Sequence, residues 1–484
     1  MLSDIFDYFS NVVLTHFIYF LFICKIYLSL FTVVVIAYFI IKTPNICLRL
    51  LQKKNPYAIA ISLVIVSVFF FPLTRNIMII TSVLILSIYC LGLIESCRGA
   101  YLIRKGEKWK WKKSNISINK NNKYIIKNNE NLKNITIIFS LKNESNVICR
   151  SLDKIFQLDY PQDKINVIVI NDYSTDNTLD VLEQYSENHS ITVISNINEA
   201  GKASALNSVL ENITTELVLI MDADHHISKD FIKKAVKYFR NPEVGMVQGM
   251  NVIRNGNQSI ISKLVEMEYH GLHQIIYYVK PMPVYLGTSA IFRSDIFKIT
   301  GLFKNELATE DWELSFRMHQ KCIESIFCKD CYTDELAPVT INSFYKQRYR
   351  WLRGTWQCIE THFSNMILSK NIQFTKKIDF VSVCIFPLAL LSYLCINTCW
   401  GLDYFNLITL PIFPDTVLIL QIPFILFYIQ GIIYSKKYKT LPVVVLVPYF
   451  YTLYSLAAFE AMFDEWILKR KYHGEKMDRS SVNN

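Results

Sequence analysis

Five stretches of this 484-residue chain run for about twenty residues with no Asp, Glu, Lys or Arg, and all five lie toward its two ends. A charge at mid-bilayer costs roughly 2.5 kcal/mol or more, and a helix needs about 20 residues to cross the hydrocarbon core, so such runs read as membrane-spanning helices. They cover residues 55–74, 76–94, 380–402, 416–435 and 440–459. Residues 8–41 form a sixth, interrupted by Lys25, which can snorkel toward an interface. Only the middle third is left for a water-soluble domain. The composition agrees: 51% hydrophobic and 19% charged residues exclude a disordered chain, and the 12 cysteines are too thinly spread for a small disulfide scaffold.

The charges flanking these runs set an orientation. Asp4 and Asp7 precede the first run without a Lys or Arg, which argues against a removable signal peptide and for an external N-terminus. Lys42, Arg49, Lys53 and Lys54 follow the first run, and Arg98, Arg104, Lys105, Lys108, Lys110, Lys112 and Lys113 follow the third. Both loops are therefore expected inside, and the middle domain faces the cytosol. At the C-terminal end Lys436, Lys437 and Lys439 and the tail Lys469, Arg470 and Lys471 all read inside, which conflicts with the number of spans. Either 404–414 inserts separately, or the last apolar segment is re-entrant, or the tail breaks the rule. The net charge of +10 concentrates beside the membrane runs, which points to anionic lipid headgroups and not to nucleic acid. The expected organisation is an N-terminal membrane region of about three helices (1–113), a basic Asn/Lys-rich linker (114–133), a soluble domain (134–342), interfacial amphipathic helices (343–377), a C-terminal membrane region (378–462) and a basic tail (463–484).

From residue 134 short β-rich runs alternate with helical segments: ITIIFS at 135–140, INVIVI at 165–170, ITVI at 191–194 and LVLIM at 217–221. Runs this apolar suit strands buried on both faces of a mostly parallel sheet, where ligands bind beyond the carboxyl ends. Asn171 to Asp176 follow the second run, and Asp222-Ala223-Asp224 follow the fourth. Two carboxylates at that spacing can hold Mg2+ or Mn2+ together with a diphosphate, although alone such a pair equally solvates a turn. Asp176 can equally be a helix cap, and Gly201-Lys202 a loop with a solvated amine. Farther on stand Thr309-Glu310-Asp311, ahead of a helical LSFRMH, and Gln347-Arg348-Tyr349-Arg350-Trp351.

Taken in order, these clusters resemble the membrane-bound, inverting family 2 glycosyltransferases that make cellulose, chitin, hyaluronan and poly-N-acetylglucosamine. The resemblance covers about residues 134 to 357 and the membrane layout. It implies an α/β domain of the GT-A, nucleotide-sugar-binding type between two sets of membrane helices. It also implies that Asp172 binds the uracil end of a UDP-sugar, that Lys202 lies near the nucleotide, and that Asp222 and Asp224 hold the metal, Asp224 more closely. The YLGTSAIFR stretch resembles the segment lining the acceptor end, with Gly287 and Thr288 in the close backbone approach. Asp311 matches the catalytic base, with Glu310 beside it, and Gln347, Arg350 and Trp351 match a Q-x-x-R-W motif that holds the diphosphate and stacks on the acceptor sugar.

Each role is chemically reasonable. The leaving diphosphate must be neutralised, the acceptor hydroxyl must lose its proton as it attacks, and an inverting displacement needs no enzyme nucleophile. The implied product is a β-linked polysaccharide built from UDP-glucose or UDP-N-acetylglucosamine and passed through the inner membrane, with a growing glycan as acceptor and room for accessory export or biosynthetic subunits. Transfer of one sugar to a lipid, or a silent nucleotide-sugar-binding subunit, are the alternatives. VIRNGNQSIISKL, after Gln248, looks more like the poly-N-acetylglucosamine synthases, and no Phe-x-Val-Thr gating loop of the cellulose synthases is present. Cys328 and Cys331 form a C-x-x-C in a run that reads as a strand of reduced thiols. His225 reads as a local hydrogen-bond partner, and Trp356 as part of an amphipathic helix on the inner leaflet.

Overall fold

A computed structural model describes residues 132–278, 282–406 and 414–470. The spans expected within 1–113, most of the linker and the 471–484 end of the tail lie outside the described residues. The four apolar runs are strands β1 (Ile135–Leu141), β2 (Ile165–Asn171), β3 (Thr192–Ser195) and β4 (Leu217–Met221), connected by helices α1 (Ile148–Phe156), α2 (Thr178–Ser186) and α3 (Lys202–Leu210). After β5 (His226–Ile227), α4 (Phe231–Ala235), β6 (Val244–Ile253) and the long α5 (Ile260–Tyr278) come β7 (Ala290–Arg293), α6 (Ile296–Thr300), α7 (Glu310–Gln320) and β8 (Glu324–Glu335). The described chain continues through α8 (Ile341–Leu368), α9 (Phe374–Tyr404), α10 (Pro414–Ser435) and α11 (Val447–Met462).

One eight-stranded sheet runs in the order β3-β2-β1-β4-β7-β6-β8-β5. β1 to β4 pair in parallel, and β6 pairs in parallel with β8. β7 is antiparallel to both β4 and β6, with Ile220 opposite Ala290. Because β7 runs backwards, its start lies where β4 ends, so Gly287 and Thr288 sit beside Asp222. Every residue of β4 is buried. Side chains alternate between two apolar layers: Ile137, Phe139 and Leu219 pack on one face, and Ile138, Ile220 and Phe292 on the other. Burial on both faces is why these strands carry no polar alternation.

The described residues divide into two compact units. One holds 132–394 and 414–461; the other holds 395–406 and 462–470, within which Arg470 Nη1 donates to Asp464 Oδ1 at 2.9 Å. Two helical stretches, Phe374–Thr398 and Tyr438–Ile467, are long and apolar enough to cross a membrane. In the larger unit α10 crosses α5 at very short range: a Cβ on Gly431 would stand 2.3 Å from the Met267 carbonyl oxygen, and one on Gly271 2.9 Å from that of Phe427.

Helix α8 opens with a capping box, Ser343 N donating to Thr340 Oγ1 at 3.1 Å while Thr340 N donates to Ser343 Oγ at 3.2 Å. Two expectations are corrected here. Trp356, expected on a lipid-facing surface, is 1% exposed, because α8 turns that face onto the protein. Cys328 and Cys331 are joined as a disulfide within β8 where free thiols were expected, since the strand brings the two buried sulfurs together. Asp176 is not the N-cap of α2, which is Asn177; it makes the turn before the helix, its Oδ1 accepting from Thr178 N at 3.0 Å.

Candidate active site

The site is built where β4 ends. Asp222 N donates to Thr288 Oγ1 at 3.1 Å, which ties the end of β4 to the start of β7. Lys202, the first residue of α3, reaches across: its ammonium donates to Asp222 Oδ1 at 2.5 Å and to the Gly287 carbonyl at 2.7 Å. Tyr285 Oη donates to the same carbonyl at 2.7 Å. Gly287 has φ +82, and a Cβ there would sit 3.0 Å from Asp311 Oδ2, so the position admits glycine both for its backbone and for its space. Lys202, Asp222, Gly287, Thr288 and Asp311 thus converge on one spot.

Asp311 and Glu310 lie in the first turn of α7, where the helix dipole favours negative charge. Both are half-buried. Burial and the neighbouring Glu310 carboxylate push Asp311 up to about 7, against the opposing pull of the Trp312 amide, Lys202 and Arg350. Burial disfavours the charge on Lys202, but Asp222, Glu310 and Asp311 outweigh it and hold the ammonium above its ordinary range. Burial likewise opposes the Asp222 carboxylate, yet Lys202 keeps it below the usual range. The arrangement is a cation between carboxylates, with one carboxyl poised near neutrality.

Helix α8 carries the remaining candidates. Arg350 is close enough to act electrostatically on Asp311. Gln347 has a buried Oε1 with no hydrogen-bond partner among the described residues. The Arg348 guanidinium covers the Trp351 ring at 4.3 Å. Gly354 lies against Thr309, just ahead of Glu310: a Cβ there would approach Thr309 Oγ1 to 2.1 Å, so α8 and the start of α7 are in direct backbone-to-side-chain contact.

Asp172 is placed differently from the others. It is 3% exposed, and its oxygens accept from Gly201 N (2.9 and 3.1 Å) and Asn196 Nδ2 (2.8 Å), so it holds the loop that delivers Lys202. Asp224 is 1% exposed and sits against His225. Asp222 and Asp224 offer hard oxygen donors two residues apart, a set that suits Mg2+ or Mn2+. No cluster of three or more His, Cys, Asp or Glu able to hold a metal occurs among the described residues. Sequence reasoning did not find Glu335, Asn251 or the Thr309–Gly354 contact: a single polar residue at a strand end or a glycine inside a helix carries no local pattern.

Residues 135–354 match the model of the glycosyltransferase-like family 2, and the chain carries a family 2 glycosyltransferase domain of the GT-A fold. The fold is shared with a mannosyltransferase from Pyrobaculum calidifontis solved with GDP-Man and Mn2+, at a TM-score of 0.52 and 19% identity, covering 80% of this chain and 99% of that one. Among curated proteins the chain is similar to the poly-beta-1,6-N-acetyl-D-glucosamine synthase of Staphylococcus epidermidis, 28% identical over 248 residues. The same-named protein of Staphylococcus aureus (strain MSSA476) is 27% identical over 249 residues. Each alignment covers 50% of this chain and 60% of the relative.

Proposed function

We propose that this protein is an inverting, metal-dependent membrane glycosyltransferase that polymerises UDP-N-acetylglucosamine or UDP-glucose into a β-linked polysaccharide and passes it through its membrane helices. The soluble domain faces the cytoplasm in a multi-pass plasma-membrane protein. The observation that carries this reading is the half-buried Asp311, raised to about 7, whose Oδ2 lies against Gly287, the residue whose carbonyl accepts from the Lys202 ammonium. A carboxylate tuned to that range is a general base suited to neutral pH. The names of the relatives favour N-acetylglucosamine as the first donor to try.

In this reading Asp311 accepts the acceptor hydroxyl proton as that oxygen attacks the anomeric carbon, and the bond to the diphosphate breaks on the opposite face. Lys202 and Arg350 supply positive charge toward the leaving group. Gln347 lies one turn before Trp351 on α8, and the Trp351 ring suits an apolar sugar face. A divalent ion held by Asp222 and Asp224, when bound, supplies further neutralisation of the diphosphate.

The test is UDP release by detergent-purified protein, with Mg2+ or Mn2+ and each UDP-sugar in turn, and with GDP-mannose as a control. Labelled product is sized after lipid extraction. Sugar-specific release with high-mass, extraction-resistant product is expected. Label wholly in the lipid phase would replace the synthase with a glycolipid transferase, and release from GDP-mannose alone would overturn the donor.

A further inference from the structure

Behind the Asp222–Asp224 pair lies a group of polar side chains that the mechanism above does not use. His225 Nδ1 is 3.2 Å from Asp224 Oδ1, and its Nε2 is 2.7 Å from Glu335 Oε2. Glu335 ends β8 and is 110 positions away in sequence. Asn251, from the adjacent β6, donates through Nδ2 to the same Glu335 oxygen at 2.9 Å. Asp224, His225, Asn251 and Glu335 are all buried, at 1%, 5%, 3% and 8% exposure.

Stability alone is a poor reason for this arrangement. Apolar residues of similar volume are often as stabilising as a buried ionic network, or more so, whereas breaking such a network by removing one member is costly. What the network does achieve is geometric. An imidazole clamped at both nitrogens cannot rotate, so Asp224 is held against a fixed partner, and that partner is itself tied through Glu335 to two further strands, β8 and β6.

We propose that Glu335 is a positioning residue for divalent-cation binding: through His225 it fixes the Asp224 carboxylate in the orientation that meets the ion. This rests on the metal reading of Asp222 and Asp224 given above.

The experiment is Mn2+ titration of the full-length purified protein at saturating UDP, followed by the electron paramagnetic resonance signal of free Mn2+, with thermal unfolding run alongside. Glu335→Ala is expected to weaken Mn2+ binding about tenfold, the lower end for partners that orient metal ligands. Glu335→Gln keeps an oxygen that accepts from His225 and should stay within about threefold of the unsubstituted protein. Equal loss in both variants, or no loss in Glu335→Ala, would overturn the proposal. Should Glu335→Ala fail to fold, Asn251→Ala takes its place: weaker Mn2+ binding is expected, and unchanged binding overturns the proposal. Asp224→Ala separates the two levels, since unchanged Mn2+ affinity there defeats the metal reading itself, whereas loss there with none in Glu335→Ala defeats only the role of Glu335.

Discussion

Asp311 must be ionised to take a proton, and its surroundings set that ionisation near neutrality. The sign follows: the base form is absent well below about 7 and complete well above it, so kcat/KM for the donor should rise with pH through about 7. A rate that is flat from pH 5.5 to 8.5 would remove Asp311 from the rate-limiting proton transfer. Asp311→Asn should lower kcat by about a thousandfold, within the usual range for a lost general base, while UDP binding measured by calorimetry is retained. Asp311 was legible in the sequence because it belongs to an ordered series of polar clusters, each placed after an apolar run or before a helix. His225 was legible only as a hydrogen-bond partner, because the carboxylate on its far side comes from a strand 110 residues later.

At the scale of the element, two of the points that fix α7 join it to α8. Gly354 of α8 admits Thr309, so Gly354→Ala must displace the residue that precedes Glu310 and Asp311. Steady-state kinetics should show kcat reduced about tenfold with the donor KM little changed, since misplacing a catalytic group costs rate more than ground-state binding. The second point is Glu313, fully buried, which accepts from Arg317 Nε at 2.8 Å and pairs with His362 of α8 at 3.0 Å and with Lys304 at 3.0 Å. Burial alone would raise this carboxyl, but His362, Arg317 and Lys304 hold it down at about 2. A depressed carboxylate contributes stability that is fully present above its unfolded value and lost as pH falls through the folded one. Glu313→Gln should therefore cost on the order of 3 kcal/mol at pH 7 and make the stability less dependent on pH between about 4.5 and 2. Equal melting temperatures of the two proteins at pH 7 would contradict this. The parallel strands were legible because burial on both faces writes itself as uninterrupted apolar sequence. The antiparallel β7 was not, because AIFR is too short to reveal its direction and its pairing depends on residues about 45 and 70 positions away.

Across the larger unit, the glycosyltransferase domain and the C-terminal helices share buried charge. Arg348 of α8 pairs with Glu268 of α5 at 2.5 Å and lies over the rings of Phe344 (4.9 Å) and, on α11, Tyr454 (5.0 Å). Removing one partner strands the other: Glu268→Ala should destabilise by about 3–5 kcal/mol, and Glu268→Leu combined with Arg348→Met should recover most of that. Thermal unfolding in detergent measures both, and a double variant no better than the single one would show that the charges contribute more than each other's compensation. The apolar runs at 380–402, 416–435 and 440–459 announced helices, and helices are found there. What they pack against was hidden, since lipid-facing and protein-facing apolar residues look alike in sequence.

The crossing of α5 and α10 also constrains how this sequence can drift. At Gly271 and Gly431 even a methyl group would meet backbone carbonyl oxygen at 2.9 and 2.3 Å, with no flexible side chain to give way. A saturation library of this protein should accordingly show both positions closed to every alternative.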